Sequence, residues 1–80
     1  MFVKESVLRV MEEVSGISQE ELQENMDLDL YENELLDSLG IITLLEELSM
    51  DLKCEFDVGK VSADDFRTMN AIIATVEGQL

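Results

Sequence analysis

Three stretches of the chain place apolar residues at helical spacing. Val3, Val7, Val10 and Val14 fall at intervals of four, three and four, with Leu8 and Met11 beside them. This predicts an amphipathic helix over about residues 2 to 14, ended by Ser15-Gly16. The strongest periodicity follows Asp37-Ser38, where Ile41, Leu44, Leu45, Leu48 and Leu52 share one face of a helix running to about residue 52, the expected spine of the core. A last helix, capped by Thr68, carries Met69, Ile72, Ile73 and Val76 on its face.

Between these runs the signals are shorter. Ser18-Gln19-Glu20-Glu21 reads as a capping box opening a short turn, and Ser62-Ala63-Asp64-Asp65 as the capped start of a single turn carrying Phe66. From Ile17 to Leu36 the pattern loosens into an acidic loop anchored by Met26, Leu28, Leu30 and Leu35. The alternation Met26-Asp27-Leu28-Asp29-Leu30 is not a strand, because no second run exists to pair with its backbone. The expectation is an all-α fold: three main helices and short turns in one three-to-four-helix bundle with a long first loop, a single domain over residues 1 to 80.

Length and inventory narrow the function. A chain of 80 residues supports one small core, so a self-contained enzyme with an enclosed pocket is disfavoured against a carrier, adaptor or binding module. It holds 19 acidic and 5 basic residues, a formal charge of −14. No Lys or Arg occurs from residue 10 to 52, a stretch with thirteen carboxylates whose field repels phosphate backbones and anionic head groups and attracts cationic protein surfaces. No nucleic-acid partner and no membrane insertion are expected. His is absent and Cys54 is the sole cysteine, which excludes a Cys/His zinc site and an internal disulfide; Cys54 is expected as a small apolar or partly exposed residue near the end of its helix rather than a chemical group. The N-terminal residues lack a basic region followed by an apolar run, so neither a signal peptide nor a membrane span is expected, and the expected location is the cytoplasm.

Candidate chemistry reduces to one residue. The run Asp27-x-Asp29-x-Tyr31-Glu32 fails as a calcium loop, with Glu32 where Gly is needed and Ser38 where a bidentate Glu is needed. Nothing marks any carboxylate pair as an acid/base couple, and no metal site is expected. Ser38 stands between Asp37 and the first turn of the best helix. On position alone, either residue serves as a plain N-cap. The same position suits an attached anion, because unpaired amides and the positive end of the helix dipole favour negative charge by about 0.3 to 1 kcal/mol.

Leu35-Leu36-Asp37-Ser38-Leu39-Gly40, with the apolar helix from Ile41 to Leu48, resembles the signature of the acyl and peptidyl carrier proteins, an Asp-Ser-Leu at the head of the second long helix. With Asp65-Phe66-Arg67-Thr68 downstream, the chain looks most like the D-alanyl carriers: Gly40 favours that group over fatty-acid carriers, while Phe66 and Met69 stand where it often has Trp and Pro. The resemblance implies a bundle of acyl-carrier-protein type with no catalysis of its own. It implies 4′-phosphopantetheine esterified to Ser38, Asp37 as the flanking acidic residue, and a substrate held as a thioester on the arm. The implied partners are a phosphopantetheinyl transferase, an adenylating ligase specific for D-alanine and a downstream acceptor enzyme in teichoic acid D-alanylation. Other readings are an acyl carrier for a fatty-acid, polyketide or nonribosomal peptide pathway and, from another class, a cofactor-free acidic helical adaptor. A monomer is expected.

The helical period turns Leu39, Ile42, Thr43, Glu46, Glu47 and Met50 away from the core. This is the expected partner-binding face. Glu46 and Glu47 would steer cationic surfaces, and Leu39 and Ile42 would supply desolvated contacts beside the serine.

Overall fold

A computed structural model describes residues 3 to 80. Its four α-helices are α1 (Val3–Ser15), α2 (Gln19–Glu24), α3 (Ser38–Leu52) and α4 (Met69–Gln79), with single-turn 3₁₀ helices at Val58–Lys60 and Ala63–Phe66. The described residues contain no strand, so the fold is the all-α bundle with a long first loop that the periodicity predicts. Residue 2, included in the expected first helix, lies outside the described residues.

Each boundary has a local cause. α1 ends where Gly16 takes a left-handed φ of 77° and its amide donates to the Glu12 carbonyl at 2.8 Å, a conformation a residue without Cβ adopts freely. Ser18 caps α2 by accepting from the Glu21 amide at 3.3 Å, and the expected turn extends into a six-residue helix because Leu22 inserts into the core. α3 ends at Lys53, a left-handed C-cap with φ 54° whose amide donates to the Ser49 carbonyl. Ser62 opens its turn by donating its backbone N–H to Asp65 Oδ2 at 2.7 Å, and Thr68 caps α4 by accepting from the Ala71 amide at 3.1 Å.

The core differs from expectation in its centre. α1, not α3, is the hub: it packs against α2, α3 and α4, while α4 also holds the turn at Ala63–Phe66. α1 buries Val3, Val7, Leu8, Val10 and Met11; α3 buries only Leu44, Leu45 and Leu48, with Ile41 and Leu52 packed at its edge. Phe66, Met69, Ile72 and Val76 close the far side, and Leu22, Leu30 and Leu36 bring in the loop. Burying each large apolar side chain contributes roughly 1.5 to 3 kcal/mol. α3 comes second because it is apolar on both faces and commits one of them to solvent.

A Cβ on Gly16 would meet no neighbouring atom, so a substitution there tests backbone conformation alone. Gly16→Ala is expected to cost about 1 kcal/mol, seen as a lower urea midpoint with an unchanged slope.

Candidate functional site

The head of α3 divides two tasks between neighbouring residues. Asp37 is the N-cap, extended at φ −136° and ψ −177°; its Oδ1 accepts from the Gly40 amide at 2.7 Å, and its carbonyl accepts from the Ile41 amide at 2.9 Å. Ser38 is therefore the first helical residue and not the cap. Its side chain is exposed, and its hydroxyl bonds to no group among the described residues. The first-turn amides of Ser38 and Leu39 have no intrahelical acceptor. The capping alternative at Ser38 is thus taken up by Asp37, which leaves the hydroxyl free.

Gly40 belongs to the same device. A Cβ there would stand 3.1 Å from Leu36 Cδ1 and 3.3 Å from Asp37 Oδ1. Both are tighter than ordinary contact, so the missing side chain lets the cap fold back while buried Leu36 packs against the helix start.

Beside Ser38 lies an open depression of about 190 Å³, walled by Ile41, Val61, Ser62, Ala63 and Phe66. It is below the usual size of a ligand-enclosing pocket, roughly 300 to 1,000 Å³. The surroundings can display a group attached to Ser38, but they do not engulf one. An anionic group on the hydroxyl would gain from the helix terminus but lie beside the Asp37 carboxylate, and in water the two effects are each about 1 kcal/mol or less. Access, more than electrostatic attraction, is what distinguishes this oxygen.

Along the outer face of α3, Leu39, Ile42 and Met50 are 71%, 51% and 68% exposed. Thr43 and Glu46 are exposed with them, and the Thr43 hydroxyl donates back to the Leu39 carbonyl at 3.1 Å. Glu47 sits at the edge toward α1, half-buried, in a groove shared with Arg9, Glu13, Met50 and Asp51. Arg9 pairs with Asp51 there, tying α1 to α3. The six residues expected to share a face thus form an exposed apolar and acidic strip, with Glu47 on its rim. Cys54 is half-buried just beyond α3, with Sγ near the Glu55 carbonyl at 3.9 Å.

One cluster carried no sequence signal as a unit. Arg67 Nη1 donates to Asp29 Oδ2 at 2.9 Å, Nη2 donates to Asp64 Oδ1 at 3.2 Å, and the guanidinium carbon lies 5.5 Å from the centre of the Tyr31 ring. Tyr31 donates its hydroxyl hydrogen to the Ala63 carbonyl. Asp29 Oδ1 accepts from the amides of Tyr31 and Glu32, each at 3.0 Å. The Glu32 amide and then Arg67 hold the Asp29 carboxyl below its ordinary pKa; its partners, Asp29 first, raise that of Arg67; burial raises that of Tyr31. The only hint in the chain was that Arg67 is one of just five cations.

No family model matches the chain. Curated relatives match nearly all of it. The D-alanyl carrier protein of Leuconostoc citreum is 34% identical over 77 residues, covering 96% of this chain and 95% of the relative. That of Lacticaseibacillus casei is 36% identical over 75 residues, 94% of this chain and 90% of the relative. That of Streptococcus suis is 36% identical over 76 residues, 95% and 92% of the two chains. The fold is that of a small helical carrier domain of acyl-carrier type. Within that class, the chain belongs to the D-alanyl carrier protein family.

The division of labour at the helix mouth has a measurable signature. Asp37→Ala is expected to lower stability by about 1 kcal/mol, while Ser38→Ala stays within about 0.5 kcal/mol of the parent in urea denaturation. Equal losses in the two variants would mean that the serine shares the cap.

Proposed function

We propose that the protein is a non-catalytic carrier whose Ser38 is esterified by 4′-phosphopantetheine and which holds D-alanine for the D-alanylation of teichoic acids. The observation that carries this reading is the exposed Ser38 hydroxyl at the first position of α3, bonded to no group among the described residues, with Asp37 doing the capping. Similarity to D-alanyl carrier proteins over almost the whole chain supports the choice of cargo. When attached, the arm supplies a terminal thiol that holds the aminoacyl group as a thioester.

The chain's own residues supply the anchor and the address. Ser38 Oγ is the attachment atom, and Asp37 keeps the helix start formed whether or not that oxygen is modified. Leu39 and Ile42 offer desolvated contacts beside the anchor, Thr43 and Met50 extend them, and Glu46 and Glu47 steer cationic surfaces during encounter. A strip this narrow suits transient docking to a phosphopantetheinyl transferase, a D-alanine-adenylating ligase and an acceptor enzyme in turn. Among the described residues no helix is long and apolar enough to cross a membrane. We place loading of the carrier in the cytoplasm, where coenzyme A and an adenylating ligase would meet it.

Incubation with coenzyme A and a broad-specificity transferase, followed by intact-mass measurement, is expected to show the gain of one phosphopantetheine, absent in Ser38→Ala. No gain on the parent protein would leave the cofactor-free adaptor as the better reading. The holo protein with a D-alanine-adenylating ligase and ATP is then expected to take up D-alanine, which hydroxylamine at neutral pH releases.

The steering role has its own measurement. Charge reversal of Glu46 and Glu47 to Lys is expected to slow arm transfer by about tenfold at low salt and much less above 0.5 M, where the Debye length falls to about 4 Å. A transfer rate unchanged at low salt would remove these two residues from the docking face.

A further inference from the structure

We propose that Arg67 is a positioning residue for Ser38: by clamping the acidic loop at Asp29, next to the main-chain bond between Leu30 and residue 67, its side chain holds the turn that delivers the serine to the head of α3. The clamp stands on geometry alone; its consequence for arm attachment rests on the function proposed above.

Among the described residues five hydrogen bonds tie the loop between α2 and α3 to the segment from Ala63 to Asn70, one at Ala63, two at Asn70 and two at Arg67. Its side chain binds Asp29 at 2.9 Å, and its carbonyl accepts from the Leu30 amide at 2.7 Å. The other three lie nearby: Asn70 donates its amide to the Met26 carbonyl at 3.2 Å and its side-chain Nδ2 to Asp27 Oδ1 at 2.7 Å, and Tyr31 reaches Ala63. From Leu30 the path to the serine is short. The Leu30 carbonyl accepts from the amides of Leu35 at 2.9 Å and Leu36 at 3.3 Å, closing a turn in which Glu34 takes a left-handed φ of 57°. Leu36 is buried against the first turn of α3, at the place where a Cβ on Gly40 would come within 3.1 Å of it. Asp37 follows, and caps.

A turn built on a left-handed non-glycine residue does not hold itself, so something outside it must. Leu30 is fully buried and supplies part of that restraint. Arg67 supplies the directional part. Between residues 10 and 52 there is no cation at all, so any ion pair made by the loop's carboxylates takes its cation from elsewhere in the chain, as Asp29 does from Arg67. Arg67 is half exposed, and ion pairs of that kind contribute little to global stability. The effect is therefore local: removing the clamp raises the fraction of molecules in which the loop is open.

Asp29→Asn is a clean probe. It keeps Oδ1 for the amides of Tyr31 and Glu32 and replaces the acceptor facing Arg67 with a donor. Amide hydrogen exchange followed by NMR is expected to be about two- to fivefold faster at Leu35, Leu36 and Gly40 in both Arg67→Gln and Asp29→Asn, unchanged in α1 and α4, and no faster in the double variant. The KM for the carrier in arm transfer should rise, with kcat unchanged, by the factor by which the closed fraction measured by exchange falls, because only closed molecules present the serine. Arg67→Lys should restore part of both effects. Lys60→Gln, which removes the same charge from an exposed pair with Asp57, should produce neither.

Unchanged exchange at Leu35 and Leu36 would overturn the clamp. Faster exchange there with a KM that does not follow the closed fraction would overturn the positioning role while leaving the clamp. Should the parent protein accept no arm at all, the proposed function fails separately. The Gly40 amide, which reports the Asp37 cap, then decides whether the clamp reaches the head of α3.

Discussion

An α-helix begins with amides that have no partner, and some acceptor must be found for them. At α3 that acceptor is a carboxylate one residue before the serine: Asp37 Oδ1 takes the Gly40 amide at 2.7 Å. Much else follows from this single bond. Because the cap is Asp37, Ser38 falls at the first helical position, its side chain projecting into solvent. Because the capping carboxylate folds back over residue 40, a Cβ there would crowd it at 3.3 Å and Leu36 at 3.1 Å, and glycine avoids both. A serine cap would reverse the arrangement, holding the hydroxyl against the backbone and making any modification compete with the start of the helix. The structure keeps the helix cap and the exposed hydroxyl on separate residues.

The second constraint is that α3 has two apolar faces and only one can be covered. Leu44, Leu45 and Leu48 are buried against the bundle, and Leu39, Ile42 and Met50 stand in water. Exposed apolar side chains in a line on one helix, flanked by carboxylates, are what the proposed docking would cover in part and reversibly. The same division explains why α1 became the hub. A helix obliged to present one face outward offers fewer residues to the core, and the stripe of Val3, Val7, Leu8, Val10 and Met11 compensates by meeting three neighbours at once.

What could be read from the chain was whatever repeats with a period or acts over four residues. The α1 and α3 stripes, the Thr68 cap and the turn at Ser62 were legible because each depends on neighbours in sequence. The choice between Asp37 and Ser38 as cap was not, since either side chain reaches the first amides, and only the backbone angles at Asp37 decide it. The length of α2 escaped because a single buried residue, Leu22, sustains it and one apolar position has no period. Glu47 was expected on the outer face, and the Arg9–Asp51 pair that makes its groove joins residues 42 apart. Asp29, Tyr31 and Arg67 were illegible together for the same reason: 38 residues separate the acid from the cation.

The charge imbalance, finally, shapes how the loop can be built. With thirteen carboxylates and no cation between residues 10 and 52, the segment cannot neutralise itself. It turns several acids into local acceptors instead. Glu12 takes the Gln19 amide, Asp29 takes those of Tyr31 and Glu32, and Asp37 takes that of Gly40, so charge that would repel is used to fix backbone. Such bonds to ionised acceptors are stronger than neutral ones and need no counter-ion in the same segment. Bonds within the segment do not fasten the loop to the bundle; bonds across the boundary do, some donated outward by the Leu30 amide and the Tyr31 hydroxyl, others inward by Arg67 and Asn70. The buried leucines give it depth, and Arg67 and Asn70 give it register, which is why an acidic segment of this length reaches the head of α3 without a cation of its own.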